Sequence, residues 1–213
     1  MSDYYHSHLF AQSVRSIYDK FLEDETMKHI GTKEIETDRL VLRRFVNEDA
    51  KIIFKNYAND DETTKYLTWS SHREVSVTQA ILATWVEGYG DLSQYKWAIT
   101  LKENPSEAIG DITASVSPNY AKIDACEIGY VLSGKHWGKG YMSEAMEAVT
   151  NYLLKEAGFN RVIARHDVAN PASGKVMQKA GLQFEGIHRQ GSLNNTGIID
   201  TAQYAILRED LEK

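Results

Sequence analysis

Apolar residues in this chain change their spacing several times, and each change marks an element. His8-Leu9-Phe10, Val14, Ile17-Tyr18 and Phe21-Leu22 recur three and four residues apart, with Arg15, Asp19, Lys20, Glu23 and Asp24 opposite them. That spacing predicts an amphipathic helix ahead of the main domain. It would cover the domain's surface, pack on a second subunit of a homodimer, or derive in part from an expression vector. Gly31-Thr32 closes this extension, so residues 1–31 read as a helical appendage and 32–213 as the folded domain.

From Ile35 to Phe45 the pattern alternates, with Leu40 and Leu42 between charged neighbours, and predicts a first strand. Asn47 is a plausible N-cap for a helix running to about Tyr57. Ile81, Leu82, Trp85 and Tyr89 return to helical spacing, ending near Gly88 and Gly90. Tyr95 to Leu101, Ala108 to Val116 and Ile123 to Leu132 are rich in Ile, Val, Tyr and Trp and read as strands. Asn104-Pro105 and Pro118-Asn119 are the turn signals between them. Short turns between consecutive strands imply an antiparallel meander. Ala145, Val149, Tyr152 and Leu153 form one face of a helix ending near Gly158. Arg161 to Val168 follows as a strand, Ala172 to Ala180 as a helix closed by Gly181, and Leu182 to Arg189 with Thr201 to Leu207 as a last strand pair. The order predicts an α/β (α+β) domain with a mostly antiparallel sheet.

Composition narrows the function. Hydrophobic residues at 42% and charged residues at 25% are those of an ordinary globular protein. A formal charge of −6 argues against nucleic acid, whose phosphates call for clustered Lys and Arg. Cys126 is the single cysteine, so neither an intramolecular disulfide nor a cysteine metal cluster can form, which fits a reducing cytoplasm. No apolar stretch reaches the roughly 18–20 residues that span a bilayer, and the N-terminus lacks a signal-peptide pattern. A soluble protein inside the cell is expected, without a membrane partner.

The chemistry-bearing segment is His136-Trp137-Gly138-Lys139-Gly140-Tyr141-Met142-Ser143-Glu144-Ala145, between a strand and a helix. Two glycines let a bulky anion approach the backbone, and the following helix adds unpaired amides at its positive end. A tight turn explains a lone glycine pair equally well. A dinucleotide fold would place its glycines after the first strand of a βαβ unit, and a Walker loop would follow them with GKS or GKT; both readings fail here.

Taken with Thr37-Asp38-Arg39-Leu40-Val41-Leu42-Arg43, Glu127-Ile128-Gly129-Tyr130-Val131-Leu132, Asn170-Pro171-Ala172-Ser173 and Lys179-Ala180-Gly181-Leu182-Gln183-Phe184-Glu185-Gly186, this segment makes the chain resemble the GNAT N-acetyltransferase superfamily. Within it the chain is similar to the RimJ/RimL branch, which acetylates ribosomal-protein N-termini. The resemblance runs from about Ile35 to the C-terminus and implies a sheet in which two neighbouring strands splay into a V that admits acetyl-CoA. It implies that the amides of Trp137, Gly138, Lys139, Gly140, Tyr141 and Met142 hold the pyrophosphate, while Val131, Leu132 and Ser133 line the pantetheine arm through their main chain. Lys135 and Lys139 would add charge to the phosphates; solvated loop lysines are the plain alternative. Met142 is bulkier than the family's usual Gly or Ala and is expected to reshape the loop's exit.

The resemblance also implies an amine acceptor and direct transfer in a ternary complex, with no metal. An α-amine with pKa ~8 is mostly protonated at neutral pH, so a base is useful, and Glu127 is the candidate. Its alternative is an outward carboxylate paired with a neighbour. The family's usual thiolate-protonating tyrosine is replaced by Met177, which shifts attention to Ser173. Capping of the helix is the bland reading of Ser173 and of Asn170, the latter otherwise a coenzyme A contact. No HExxH pair is present, and Cys126 points away from the Glu127 face. Tyr66 to Ser71 and the loop around Ser192 to Gly197 are expected to wall the acceptor site. The branch favours a protein N-terminus as acceptor, with a small-molecule amine the alternative and a non-catalytic acyl-CoA sensor the reading from another class. An open groove would admit a peptide, and a closed pocket a small amine.

Overall fold

The computed structural model describes residues 28–212; the helix expected over 8–24 lies outside them. The first alternating run folds as two short strands rather than one, β1 (Ile35–Glu36) and β2 (Leu40–Arg43). A turn splits it: the Thr37 N–H donates to the Leu40 carbonyl at 3.0 Å, and the Leu40 N–H donates back to the Thr37 hydroxyl at 3.0 Å. Helix α1 (Asp49–Ile53) follows, but Asn47 is not its cap. Glu48 holds the N-cap position without a side-chain cap bond, and Asp49 in the first turn reaches back to accept the Val46 N–H at 2.9 Å while Arg43 grips both its carboxylate oxygens at 2.8 Å. The chain continues as a π-helical turn (Phe54–Ala58), then α2 (Asp61–Thr64) and α3 (Val75–Glu87).

Three long strands come next, β3 (Tyr95–Leu101), β4 (Asn104–Ser115) and β5 (Ala125–Leu132), with short α4 (Pro118–Ala121) between the last two. Asn104-Pro105 opens β4 instead of forming the turn, which falls one step earlier. After the glycine segment come α5 (Tyr141–Asn151), extended by a π-helical turn, β6 (Arg161–Asp167) and α6 (Pro171–Lys179). The last pair, β7 (Gln183–Asn194) and β8 (Gly197–Leu207), is longer than the apolar pattern suggested. What reads in sequence as a long loop is the tip of this hairpin, turning at Asn195-Thr196.

One sheet collects all eight strands in the order β1-β2-β3-β4-β5-β6-β8-β7. Every neighbouring pair is antiparallel except β5 with β6. Period-two alternation sends Leu40, Trp97, Ile112, Cys126 and Ile128 to one face, where Met146, Val149 and Leu153 of the α5 region and Met177 of α6 cover them. Ala98, Ala108 and Val131 go to the other, under Phe45, Ile53, Tyr57 and Leu82. Each large side chain so buried contributes about 1.5–3 kcal/mol. Before β1 the chain is already tied to the sheet: the Trp97 indole donates to the Lys33 carbonyl at 2.6 Å and Tyr152 donates to that of Gly31 at 2.6 Å. Among the described residues no helix is long and apolar enough to cross a membrane.

Candidate functional site

Strands β5 and β6 pair only from Ala125 with Arg161 to Ile128 with Ala164. Both continue, β5 to Leu132 and β6 to Asp167, without pairing to each other. This opens a V in the sheet. The Ser133 N–H donates to Ile109 of β4 at 2.8 Å, so by strand alternation the main-chain groups of Tyr130 and Leu132 point toward the opening. Main-chain contacts assigned in sequence to Val131 and Ser133 are therefore better placed at Tyr130 and Leu132. The carbonyl of Leu132 already accepts the Trp137 indole N–H at 2.7 Å, which pins the glycine segment to the end of β5. Buried Ser133 presents a hydroxyl with no hydrogen-bond partner.

Gly138 and Gly140 both lie in the left-handed region, φ +75° and +81°. A Cβ on Gly138 would meet nothing within 4 Å, so the glycine serves the backbone's path and an approach from outside, and relieves no crowding. Gly140 is also the N-cap of α5 and supplies no capping side chain, leaving the first-turn amides for a ligand. These features fit the phosphates of acetyl-CoA. Lys135 and Lys139 are exposed beside them. Met142 is only 5% exposed and packs into the core beneath α5, so it does not reshape the loop's exit as expected.

A brace absent from the sequence reading holds this loop. Glu144 accepts the Thr37 hydroxyl at 2.6 Å, the Arg39 amide at 2.9 Å and the Arg39 Nε at 2.7 Å. Arg39 also donates to the Lys139 carbonyl at 3.0 Å and lies 4.6 Å from the centre of the Tyr141 ring. Partial burial pushes the Glu144 carboxyl up, but the Thr37 and Arg39 hydrogen bonds outweigh it and the net shift is downward. Two sequence blocks about 100 residues apart are thus one mechanical unit. Their shared appearance among the quoted motifs was the available signal.

Asn170 holds the N-cap position of α6 and Ser173 lies inside the helix. The Asn170 side chain makes no cap hydrogen bond, and the Ser173 hydroxyl is 2.7 Å from the Tyr130 hydroxyl, which also donates to the Ser173 carbonyl at 3.0 Å. Tyr130, missed in sequence, brings a phenol from β5 to Ser173, one helical turn before the buried Met177. Burial pushes its hydroxyl's pKa well up, so it stays protonated. Glu127 takes its alternative reading: Arg165 holds both its oxygens, at 2.8 and 2.6 Å. Buried Cys126 has its thiol's pKa pushed up by desolvation.

Across β5 from the V lies a second feature. A cavity of about 250 Å³ is walled by Ile53, Tyr57, Trp69, Leu82 and Trp85, with the buried Asp111 of β4 also in its lining. Asp111 is 8% exposed and pairs in register with Val131; Tyr57 donates to its Oδ2 at 2.8 Å, and it has no salt bridge among the described residues. Burial pushes its pKa up to about 7, against the lowering effect of the Tyr57 hydrogen bond. His72, also on the wall, lies 2.7 Å from the Thr78 hydroxyl, and burial lowers its pKa.

The two expected acceptor walls are bonded to each other. Asn195 at the hairpin tip donates its side-chain N–H groups to the carbonyls of Thr64 at 2.9 Å and Trp69 at 2.8 Å, and its amide to Leu67 at 3.2 Å; Ser70 donates to it at 2.9 Å. Asn194 meanwhile donates to Asp167, at the end of β6, at 2.8 Å. A Cβ on Gly134, just past β5, would lie 3.8 Å from the Thr63 hydroxyl. The chain of contacts runs from the end of β5 through α2 and the hairpin tip to the end of β6, and it bridges the wide end of the V.

The domain family described as Acetyltransferase (GNAT) domain matches residues 39–183. The chain is 31% identical over 174 residues to a protein named uncharacterized N-acetyltransferase YoaA of Bacillus subtilis (strain 168), covering 82% of this chain and 96% of that one. It is 29% identical to the [ribosomal protein uS5]-alanine N-acetyltransferase of Escherichia coli (strain K12), covering 71% and 79%. A solved acetyltransferase (GNAT family) structure from Bacillus anthracis superposes with a TM-score of 0.72 at 26% identity, covering 83% of this chain and 99% of that one.

Proposed function

Because this chain belongs to the GNAT acetyltransferase family, and so transfers acetyl from acetyl-CoA to an amine nitrogen, we propose that its acceptor is a compact small-molecule primary amine that attacks the thioester directly in a ternary complex. The Asn195 bridge carries the choice of acceptor: it ties the hairpin tip to the segment around Trp69 and leaves a walled cavity where an extended polypeptide would need a channel.

On this reading the amides from Trp137 to Met142 hold the pyrophosphate at the N-terminus of α5, with Lys135 and Lys139 adding charge. Tyr130 and Leu132 pair with the pantetheine amides; Val131 and Ser133 complete the wall, and Asn170 contacts coenzyme A from the start of α6. The neutral amine forms the C–N bond as the C–S bond breaks; the amine loses a proton and the thiolate gains one. With the Tyr130 proton turned to the Ser173 hydroxyl, Ser173 donates its own proton to the departing sulfur. The amine's proton leaves through water, with Glu127 a minor acceptor because Arg165 already holds both its oxygens.

A protein N-terminus is the second reading. The uS5-alanine relative favours it, as does the exposed stretch of sheet at Gly129 and Ser115 beside the V. Following thiol release from acetyl-CoA against a panel of compact amines and of short peptides with free N-termini separates the two. Saturable release with compact amines and background rates with peptides is the expected result; the reverse would overturn the small-amine reading.

A further inference from the structure

The cavity beside β4 combines features that rarely occur together without a ligand. Its walls are aromatic and aliphatic, yet a buried carboxylate lines it, and that carboxylate's side-chain hydrogen-bond partner among the described residues is the Tyr57 hydroxyl. A carboxylate taken out of water without a cation costs stability, and a well-packed amide would avoid that cost. Tyr57 satisfies one oxygen and leaves the other for a donor from the cavity. Position matters as much: Asp111 and Val131 are register partners on one face, so their Cβ atoms stand about 5 Å apart. Val131 is the β5 residue next to the V. The Asp111 part of the cavity is thus one strand from the donor channel.

We infer that this cavity is the acceptor pocket, and that Asp111 binds the ammonium group of an amine whose compact apolar body packs on Trp69, Trp85 and Leu82. The inference rests on the small-amine reading and names its substrate class: primary alkyl or arylalkyl amines, charged at one end and apolar at the other. Aromatic walls add to the attraction, since a cation within about 6 Å of a ring face is favoured by the ring's quadrupole. The other titratable side chains facing the cavity are Tyr57 and His72, with Asp49 acting on Tyr57 from α1. Burial raises the first well above its ordinary value and lowers the second, so both are neutral at pH 8. Asp111 then supplies the cavity's charge.

Calorimetric titration of the full chain at pH 8 with 2-phenylethylamine, and with 2-phenylethanol as its uncharged counterpart, tests this. The amine should bind at least about tenfold more tightly than the alcohol, the margin of a hydrogen bond to a charged group. Asp111→Asn should abolish that preference while acetyl-CoA affinity, measured on the same sample, stays unchanged and reports an intact fold. Equal binding of amine and alcohol, a preference that survives Asp111→Asn, or no binding of either overturns the inference. Thiol release separates its failure from that of the wider reading. If Asp111→Asn acetylates compact amines as well as the parent does, the pocket assignment falls and the small-amine reading stands. If the parent acetylates peptides alone, both fall.

Discussion

On its β6 side, strand β5 meets a site built from one contiguous run, Gly129 to Tyr141, closed by α6; on its β4 side it meets one assembled from Tyr57, Trp69, Asp111 and Asn195, which lie far apart in the chain. The first depends on backbone geometry, left-handed glycines and unpaired amides, and tolerates varied side chains. The second depends on particular side chains meeting across the fold. On the proposed reading, donor recognition rests on backbone geometry and acceptor recognition on side chains that the fold brings together.

The largest expected effect is on the acceptor side. Between the unfolded carboxylate value of about 4 and the folded value of about 7, the folded chain holds a proton on Asp111 that the unfolded chain has lost. Stability should therefore fall as pH rises through that window and level off above it, by a few kcal/mol at about 1.4 kcal/mol per pKa unit. Urea unfolding of the parent and Asp111→Asn at pH 5 and pH 8 reads this: the variant should lack that part of the slope and be the more stable at pH 8. Identical slopes would mean that Asp111 is not buried as a charge.

Gly140→Val attacks the donor side. A β-branched residue at φ +81° costs on the order of 1–2 kcal/mol, and acetyl-CoA affinity should fall at least about tenfold with amine binding untouched. Asn195→Ala is its counterpart, removing the hydrogen bonds that tie the hairpin to Thr64 and Trp69. It should cost about 1–2 kcal/mol of stability, raise the amine KM and admit larger amines, while leaving the acetyl-CoA KM alone. A rise in both constants would erase the distinction between the two sides. Glu144→Gln should weaken acetyl-CoA binding several-fold by loosening the Arg39 brace. Because the Glu144 pKa is lowered on folding, its stabilisation is present above the ordinary carboxylate range and is lost as pH falls through the lowered value. Smallest is Glu127→Gln: since Arg165 occupies both oxygens, kcat should drop tenfold at most, chiefly at low pH.

This contrast also explains what the sequence made legible. Strand alternation located β3 to its end residues, and the glycine run, the V and the Asn170–Ser173 turn follow from local pattern and family resemblance. Local pattern missed the Thr37 turn because a hydroxyl made it, and placed the cap at Asn47 because the Arg43–Asp49 pair that ties down the helix start is not visible in spacing. It placed Met142 in the loop's exit because the backbone direction at the start of α5 is not written in spacing. Asp111 gave no signal at all, a single acid in an apolar strand whose importance appears only when Tyr57 and α3 close over it. Tyr66 to Ser71 and the hairpin tip were each expected as walls from the sequence, but their junction at Asn195 requires the fold.

Hydrogen exchange with and without acetyl-CoA most directly tests β5 as the divide between donor and acceptor. Protection should appear at the amides of Tyr130, Leu132 and residues 138–142, with the Thr64–Ser70 segment and the hairpin tip unchanged. Protection confined to that segment and the tip, with the glycine loop exchanging as before, would contradict the account.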